Sequence, residues 1–160
     1  MNACVVFFSR TGNTKRLAQA IADTTKAPIF DIAATQPSAI GNFDLLIIGF
    51  PVEGSSPANE ASAFIEAMPK ADSKKAIVFC THRLFGSGRA MGIMEKMLDC
   101  KGYETVLKVV KKGMKPDKQT DFSAILSEVK TVKSKPNCRL PTGSPCQRAN
   151  PDFLGKASLR

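Results

Sequence analysis

The apolar positions of this chain alternate between two periodicities. Short continuous apolar runs are typical of strands buried on both faces, and runs with three- and four-residue spacing are typical of amphipathic helices. The predicted strands are residues 3–8, 29–33, 45–49, 76–80 and 104–110, and the predicted helices are 13–23, 58–68, 88–100 and 121–132. Asp121 is the expected N-cap of the last helix because its carboxylate can accept from free backbone N–H groups.

The alternation of strands and helices favours an α/β fold, a three-layer, doubly wound parallel sheet with helices on both faces. We predict one such domain over residues 1–133. Residues 134–160 contain four of the ten prolines and little periodicity, which predicts a basic C-terminal tail and not a second domain.

Charge is distributed unevenly along the 160 residues. The formal net charge is +9, of which residues 1–100 carry +1 and residues 101–160 carry +8. A basic domain invites a nucleic-acid interpretation, but the confinement of the excess to the last third makes nucleic acid an unlikely partner. The excess could be a solvated face, or a surface that attracts acidic redox proteins.

Several other classes are excluded by composition. The longest apolar run is about eight residues, too short for a spanning helix, and the N-terminus lacks a basic lead into its apolar run, so neither a membrane span nor a signal peptide is expected. Five widely spaced cysteines without a CxxC pair, and His82 as the one histidine, do not make a zinc site. The predicted compartment is the reducing cytoplasm.

The loop after the first strand carries the clearest chemical signal. Its sequence, Ser9-Arg10-Thr11-Gly12-Asn13-Thr14, offers three hydroxyls, an amide and the free N–H groups of a helix N-terminus. It lacks the GxxxxGK[ST] pattern of a P-loop and the GxGxxG pattern of a dinucleotide turn. The loop therefore predicts a site for a single phosphomonoester, and the alternative is a polar turn that caps the helix.

This loop resembles the S/T-x-T-G-x-T phosphate-binding loop of flavodoxins, and the resemblance extends over roughly residues 2–133. The segments 50–57 and 81–88, after the third and fourth strands, resemble the two flavin-flanking loops of that family. The resemblance implies a five-stranded sheet of order 2-1-3-4-5, a tightly bound FMN, and a role as a one-electron carrier between a reductase and an acceptor protein.

The resemblance also assigns the residues of the cofactor site. The FMN phosphate would contact Ser9, Arg10, Thr11, Gly12, Asn13 and Thr14. The ring would be flanked near N5 by Pro51, Val52, Glu53, Gly54 and Ser55, and on its other side and pyrimidine edge by Thr81, His82, Arg83, Leu84, Phe85 and Gly86. A peptide at Gly54 would reorient when N5 gains a proton, because glycine rotates at the lowest steric cost.

The sequence departs from the family at the expected ring site. There is no Trp, and Tyr103 follows the wrong loop, which leaves Phe50 and Phe85 as candidate stacking residues. Arginines offset Glu53 and Glu60 around the site, whereas flavodoxin sites are typically acidic. We therefore expect the reduced, anionic flavin to be more stable than in acidic flavodoxins, which raises the potential of the last reduction step.

Some alternatives stay open at this stage. The function could instead be that of a flavin-dependent NAD(P)H:quinone or flavin reductase on the same fold, or of a regulatory or nucleic-acid-associated module without flavin. His82 could tune the ring or be a solvated loop residue, and Cys80 could lie near the flavin or be a packed thiol. Cys138 and Cys146 could form a disulfide, bind a metal or be idle thiols.

Overall fold

A five-stranded parallel sheet forms the centre of the molecule. The structure is a computed structural model that describes residues 1–82, 86–112 and 121–134. The strands are β1 (Ala3–Phe7), β2 (Ile29–Asp31), β3 (Leu45–Glu53), the short β4 (Ser56–Pro57), β5 (Lys74–His82) and β6 (Tyr103–Lys112). The helices are α1 (Asn13–Thr25), α2 (Asn59–Ala67), α3 (Ser87–Cys100) and α4 (Ser123–Ser134), and two short 3₁₀ helices, Ile32–Ala34 and Pro37–Asn42, connect β2 to β3.

The strand order is β2-β1-β3-β5-β6, with β4 paired to β3 off this path. Every neighbouring pair on the path is parallel. When the five parallel strands are numbered alone, this is the predicted order 2-1-3-4-5, so the predicted fold class is confirmed. The predicted tail lies almost wholly outside the described residues.

Two apolar layers cover the sheet because side chains alternate across each strand. On β1, Cys4 and Val6 face the layer formed with α2 and α3. Val5 and its neighbours face the layer formed with α1 and α4. Strand β3 is central and β1 lies beside it. All of β1 and most of β3 are buried, which explains their continuous apolar sequences.

The observed elements differ from the predicted ones mainly at their ends. Strand β3 continues to Glu53 because its last two residues pair antiparallel with β4. Strand β2 stops at Asp31, whose carboxylate accepts from the N–H of Ala33 at 3.0 Å and starts a 3₁₀ turn. Helix α4 begins at Ser123, two residues later than predicted, and the Asp121 carboxylate accepts from the N–H of Ser123 at 2.8 Å.

Several lysines have structural partners that the sequence did not reveal. Lys101 donates from Nζ to the backbone oxygens of Glu66 and Met68, at 2.7 and 2.8 Å, at the C-terminal end of α2. Lys133 donates in the same way to Thr25 O, at the end of α1. Cations are favourable at helix C-termini, so part of the cationic excess stabilises the fold.

Candidate functional site

The segments predicted to bind FMN follow three adjacent strands at the carboxyl edge of the sheet. They are the loop after β1, the hairpin between β3 and β4, and the segment after β5. In open parallel sheets ligands bind at this edge, where the strand order reverses, and here it reverses beside β1. Of the predicted site residues, Arg83, Leu84 and Phe85 lie outside the described residues.

The loop after β1 forms an open concave end of α1. Gly12 has a φ of +84° and precedes the first helical residue, and its N–H donates to Ser9 Oγ at 3.0 Å. A Cβ placed on Gly12 would meet no atom within 4 Å, so the space beside its backbone is open. Free N–H groups, the hydroxyl of Thr11 and the amide of Asn13 suit a phosphate group.

A surface groove extends from this loop along α1. Its lining includes two cations and an amide that the sequence analysis did not assign to the site. The groove is lined by Thr11, Gly12, Asn13, Lys15, Arg16 and Gln19. The signal for these extra residues is their place on the first two turns of a helix that begins at an anion-binding loop.

A buried hydrogen bond joins the first turn of α1 to the end of β5. Thr14 Oγ1 and Thr81 Oγ1 are 2.8 Å apart, and both residues are buried. One hydroxyl donates to the other, so the pair keeps one O–H proton for a further acceptor. Two residues that were predicted to contact different parts of the cofactor are therefore in contact with each other.

The guanidinium of Arg10 bonds two carboxylates that lie outside the loop after β1. Its Nε donates to Glu53, and its Nη2 lies 2.8 Å from Glu60 Oε1. The hydrogen bond and charge of Glu53, followed by the charge of Glu60, raise the pKa of Arg10 above its usual value. Arg10 thus links the first loop to the end of β3 and to the first turn of α2.

The hairpin between β3 and β4 turns at two residues, Gly54 and Ser55. Their φ values are +54° and +74°. Positive φ at both central residues is the pattern of a type I′ turn, which matches the twist of a two-residue hairpin. Ser55 contacts Gly86, because a Cβ placed on Gly86 would lie 2.4 Å from Ser55 Cα. The second and third loops are therefore in backbone contact.

His82 is the last residue of β5. Its side chain is half-buried, and its Nδ1 is buried without a hydrogen-bond partner among the described residues. It pairs in register with Lys112 of β6. A polar atom in this state can accept or donate a bond to a group that enters the carboxyl edge.

The cysteines of the described residues divide into buried and exposed thiols. Cys4 and Cys80 are fully buried, and burial raises the pKa of each thiol to about 12. Cys80 is therefore a packed core thiol in its neutral form, and Cys100 is exposed. Cys138 and Cys146 lie outside the described residues. No group of three metal-binding side chains occurs in the described part of the chain.

The family model described as Flavodoxin domain matches residues 4–131. The chain belongs to the flavodoxin family. No curated protein matches it significantly.

Solved flavodoxin structures share the fold. Oxidised flavodoxin 1 from Bacillus cereus has a TM-score of 0.70 and 23% identity, over 84% of this chain and 99% of that chain. A flavodoxin from Streptococcus pneumoniae has a TM-score of 0.64 and 18% identity, over 81% and 92%. A flavoprotein from Lactobacillus acidophilus in complex with FMN has a TM-score of 0.57 and 16% identity, over 68% and 92%. Family membership supports a flavin-based redox role.

The structure of this flavodoxin shows where three of its aromatic side chains lie relative to the expected ring site. Phe50 is fully buried in the apolar layer beneath α2 and α3, so it cannot present its ring to a ligand. Tyr103 is buried at the beginning of β6, at the opposite edge of the sheet. Phe8 is half-buried and lies under the guanidinium of Arg10, whose Cζ is 5.4 Å from the ring centroid.

No helix of the described residues is long and apolar enough to cross a membrane.

Proposed function

We propose that this flavodoxin binds one FMN at the carboxyl edge of its sheet and carries electrons one at a time between redox proteins. The observation that supports this most directly is the open loop at the N-terminus of α1, with Gly12 at a φ of +84°. Bound FMN would supply the redox chemistry. The chain would bind its phosphate with neutral donors and leave the exposed edge of the ring for partner proteins.

The hairpin turn offers a way for the chain to respond to the redox state. A Gly-Ser turn also suits the type II′ conformation, in which the second residue has a negative φ that serine prefers. The two turn types differ by rotation of the peptide between Gly54 and Ser55. We therefore propose this peptide as the group that reorients to accept a hydrogen bond when the flavin N5 gains a proton.

The charges near the site support a raised potential for the last reduction step. Glu53 and Glu60 are both paired with Arg10, so their combined charge is partly compensated. One electron enters the flavin in this step and leaves it as an anion, which uncompensated carboxylates would destabilise. We expect a potential above that of acidic flavodoxins, measured by anaerobic titration with dithionite.

Partner proteins are proposed to be a reductase and an acceptor with acidic surfaces that dock on the basic C-terminal third. Several of its lysines also have internal partners, such as Lys108 with Glu95 at 3.0 Å and Lys111 with the backbone oxygen of Asp121 at 3.2 Å. Lys112 is exposed at the carboxyl edge, beside the proposed flavin site. Docking at this end would bring an acidic partner close to the ring, and the rate would fall with added salt.

The second candidate function is an NAD(P)H:quinone or flavin reductase. The burial of Phe50 favours it, because a ring without a stacked aromatic on that side could admit a substrate. Anaerobic titration of the FMN-loaded protein separates the two functions. A carrier takes up two electrons in separate one-electron steps and does not oxidise NAD(P)H. Steady oxidation of NAD(P)H by the purified protein would support the reductase.

A further inference from the structure

Arg10 forms a three-element contact around the proposed ring site. Its Nε donates to Glu53 Oε1, and its Nη2 lies 2.8 and 3.1 Å from the two carboxylate oxygens of Glu60. Residue 10 belongs to the phosphate loop, residue 53 directly precedes the Gly54–Ser55 turn, and residue 60 lies in the first turn of α2. A planar guanidinium can bond two carboxylates at fixed angles, which a lysine cannot do.

The turn next to Glu53 needs such support. Strand β4 has two residues, so the hairpin contributes few ladder bonds of its own. Ser55 has a φ of +74°, in the left-handed region that a residue with a Cβ adopts only at a steric cost. Gly86 contacts the turn on one side, and the Glu53 carboxylate attaches it to Arg10 on the other.

We propose that Arg10 is a positioning residue for the flavin ring and not a ligand of the phosphate. Its ion pairs with Glu53 and Glu60 fix the turn relative to the phosphate loop, so that both ends of the cofactor site form one unit. This inference rests on the proposed binding of FMN. It replaces the expectation that the Arg10 side chain contacts the phosphate.

Riboflavin separates the two roles because it has the ring but lacks the phosphate. Dissociation constants for FMN and riboflavin are measured by quenching of flavin fluorescence in wild type, R10Q, E53Q and the double variant. We expect R10Q and E53Q each to raise the dissociation constants of both flavins by a similar factor. The factor should be about twofold to fivefold, as for the loss of exposed ion pairs. The double variant should bind no more weakly than R10Q, because R10Q already removes the contact that E53Q removes.

Two further variants sharpen the comparison. R10K retains the charge and can reach one carboxylate, so it should recover part of the affinity. R89Q removes an exposed arginine from the first turn of α3, and it should leave the riboflavin affinity as in wild type. The proposal is wrong, and Arg10 is a phosphate ligand, if R10Q weakens the binding of FMN but not of riboflavin. The same holds if E53Q strengthens the binding of FMN by releasing Arg10.

Hydrogen exchange of the flavin-free protein tests the contact without any ligand. The amides of residues 53–55 should exchange faster in R10Q and E53Q than in wild type and R89Q, because the turn opens more often. Unchanged exchange in both variants would contradict the proposal. If wild type binds neither flavin, the proposed function fails, while the exchange result still decides whether Arg10 fixes the turn.

Discussion

The contact between Gly86 and Ser55 predicts that Gly86→Ala is far more harmful than an ordinary glycine substitution. Gly86 has a φ of +88°, and alanine at a positive φ costs about 1–2 kcal/mol. The added Cβ would also lie 2.4 Å from Ser55 Cα and 2.4 Å from Ser55 Oγ, whereas ordinary contact begins at 3.4 Å. The turn must therefore move by about 1 Å, and such overpacking typically costs a further 1–3 kcal/mol.

Gly54→Ala is the matched control. Gly54 also has a positive φ, +54°, but a Cβ there would meet no atom within 4 Å. We expect it to lose about 1–2 kcal/mol from its conformation alone, and Gly86→Ala to lose about 2–5 kcal/mol in total. The free energy of unfolding in urea, measured without flavin, checks both values. Equal losses for the two variants would refute the steric reasoning, and displacement of the turn should also weaken FMN binding in Gly86→Ala.

Four other predictions concern hydrogen bonds and thiols. Thr81→Val should lower the free energy of unfolding by about 1–3 kcal/mol because it leaves the Thr14 hydroxyl buried and unpaired, and the double valine variant should lose less than the sum of the single ones. Lys133→Met should cost about 0.3–1 kcal/mol, measured by urea unfolding, because α1 loses a cation at its C-terminus. Cys4 and Cys80, whose pKa values are raised from 9.0 to about 12, should resist alkylation at pH 8 until the protein unfolds. Since only the unfolded thiols ionise between pH 9 and 12, stability should fall as the pH rises through that window.

The fold was predictable because its signals are local and consistent. The continuous apolar sequence of β1 and β3 is what a parallel strand buried on both faces requires. The apolar spacing of α1 and α3 places one face of each helix on the sheet, and the ends differ from prediction by few residues. Where β3 is longer than predicted, the cause is its antiparallel pairing with Ser56 and Pro57, which apolar periodicity does not report.

The candidate site was predictable as a set of loops but not as a set of contacts. The resemblance assigned Arg10 to the phosphate site only because it lies within the Ser9–Thr14 loop. Its bonds to Glu53 and Glu60 span 43 and 50 residues of sequence, and no local pattern reports contacts at that separation. The same applies to Ser55 and Gly86, which meet only because their two strands are neighbours in the sheet.

Titration of the flavin-free protein with FMN tests the central claim most directly. The structure predicts saturable binding of one FMN per chain, with a change in flavin fluorescence and weaker binding of riboflavin, which cannot use the loop at Gly12. A fluorescence that stays unchanged in a large excess of folded protein would contradict the account. Binding of riboflavin as tight as that of FMN would contradict the assignment of the phosphate loop.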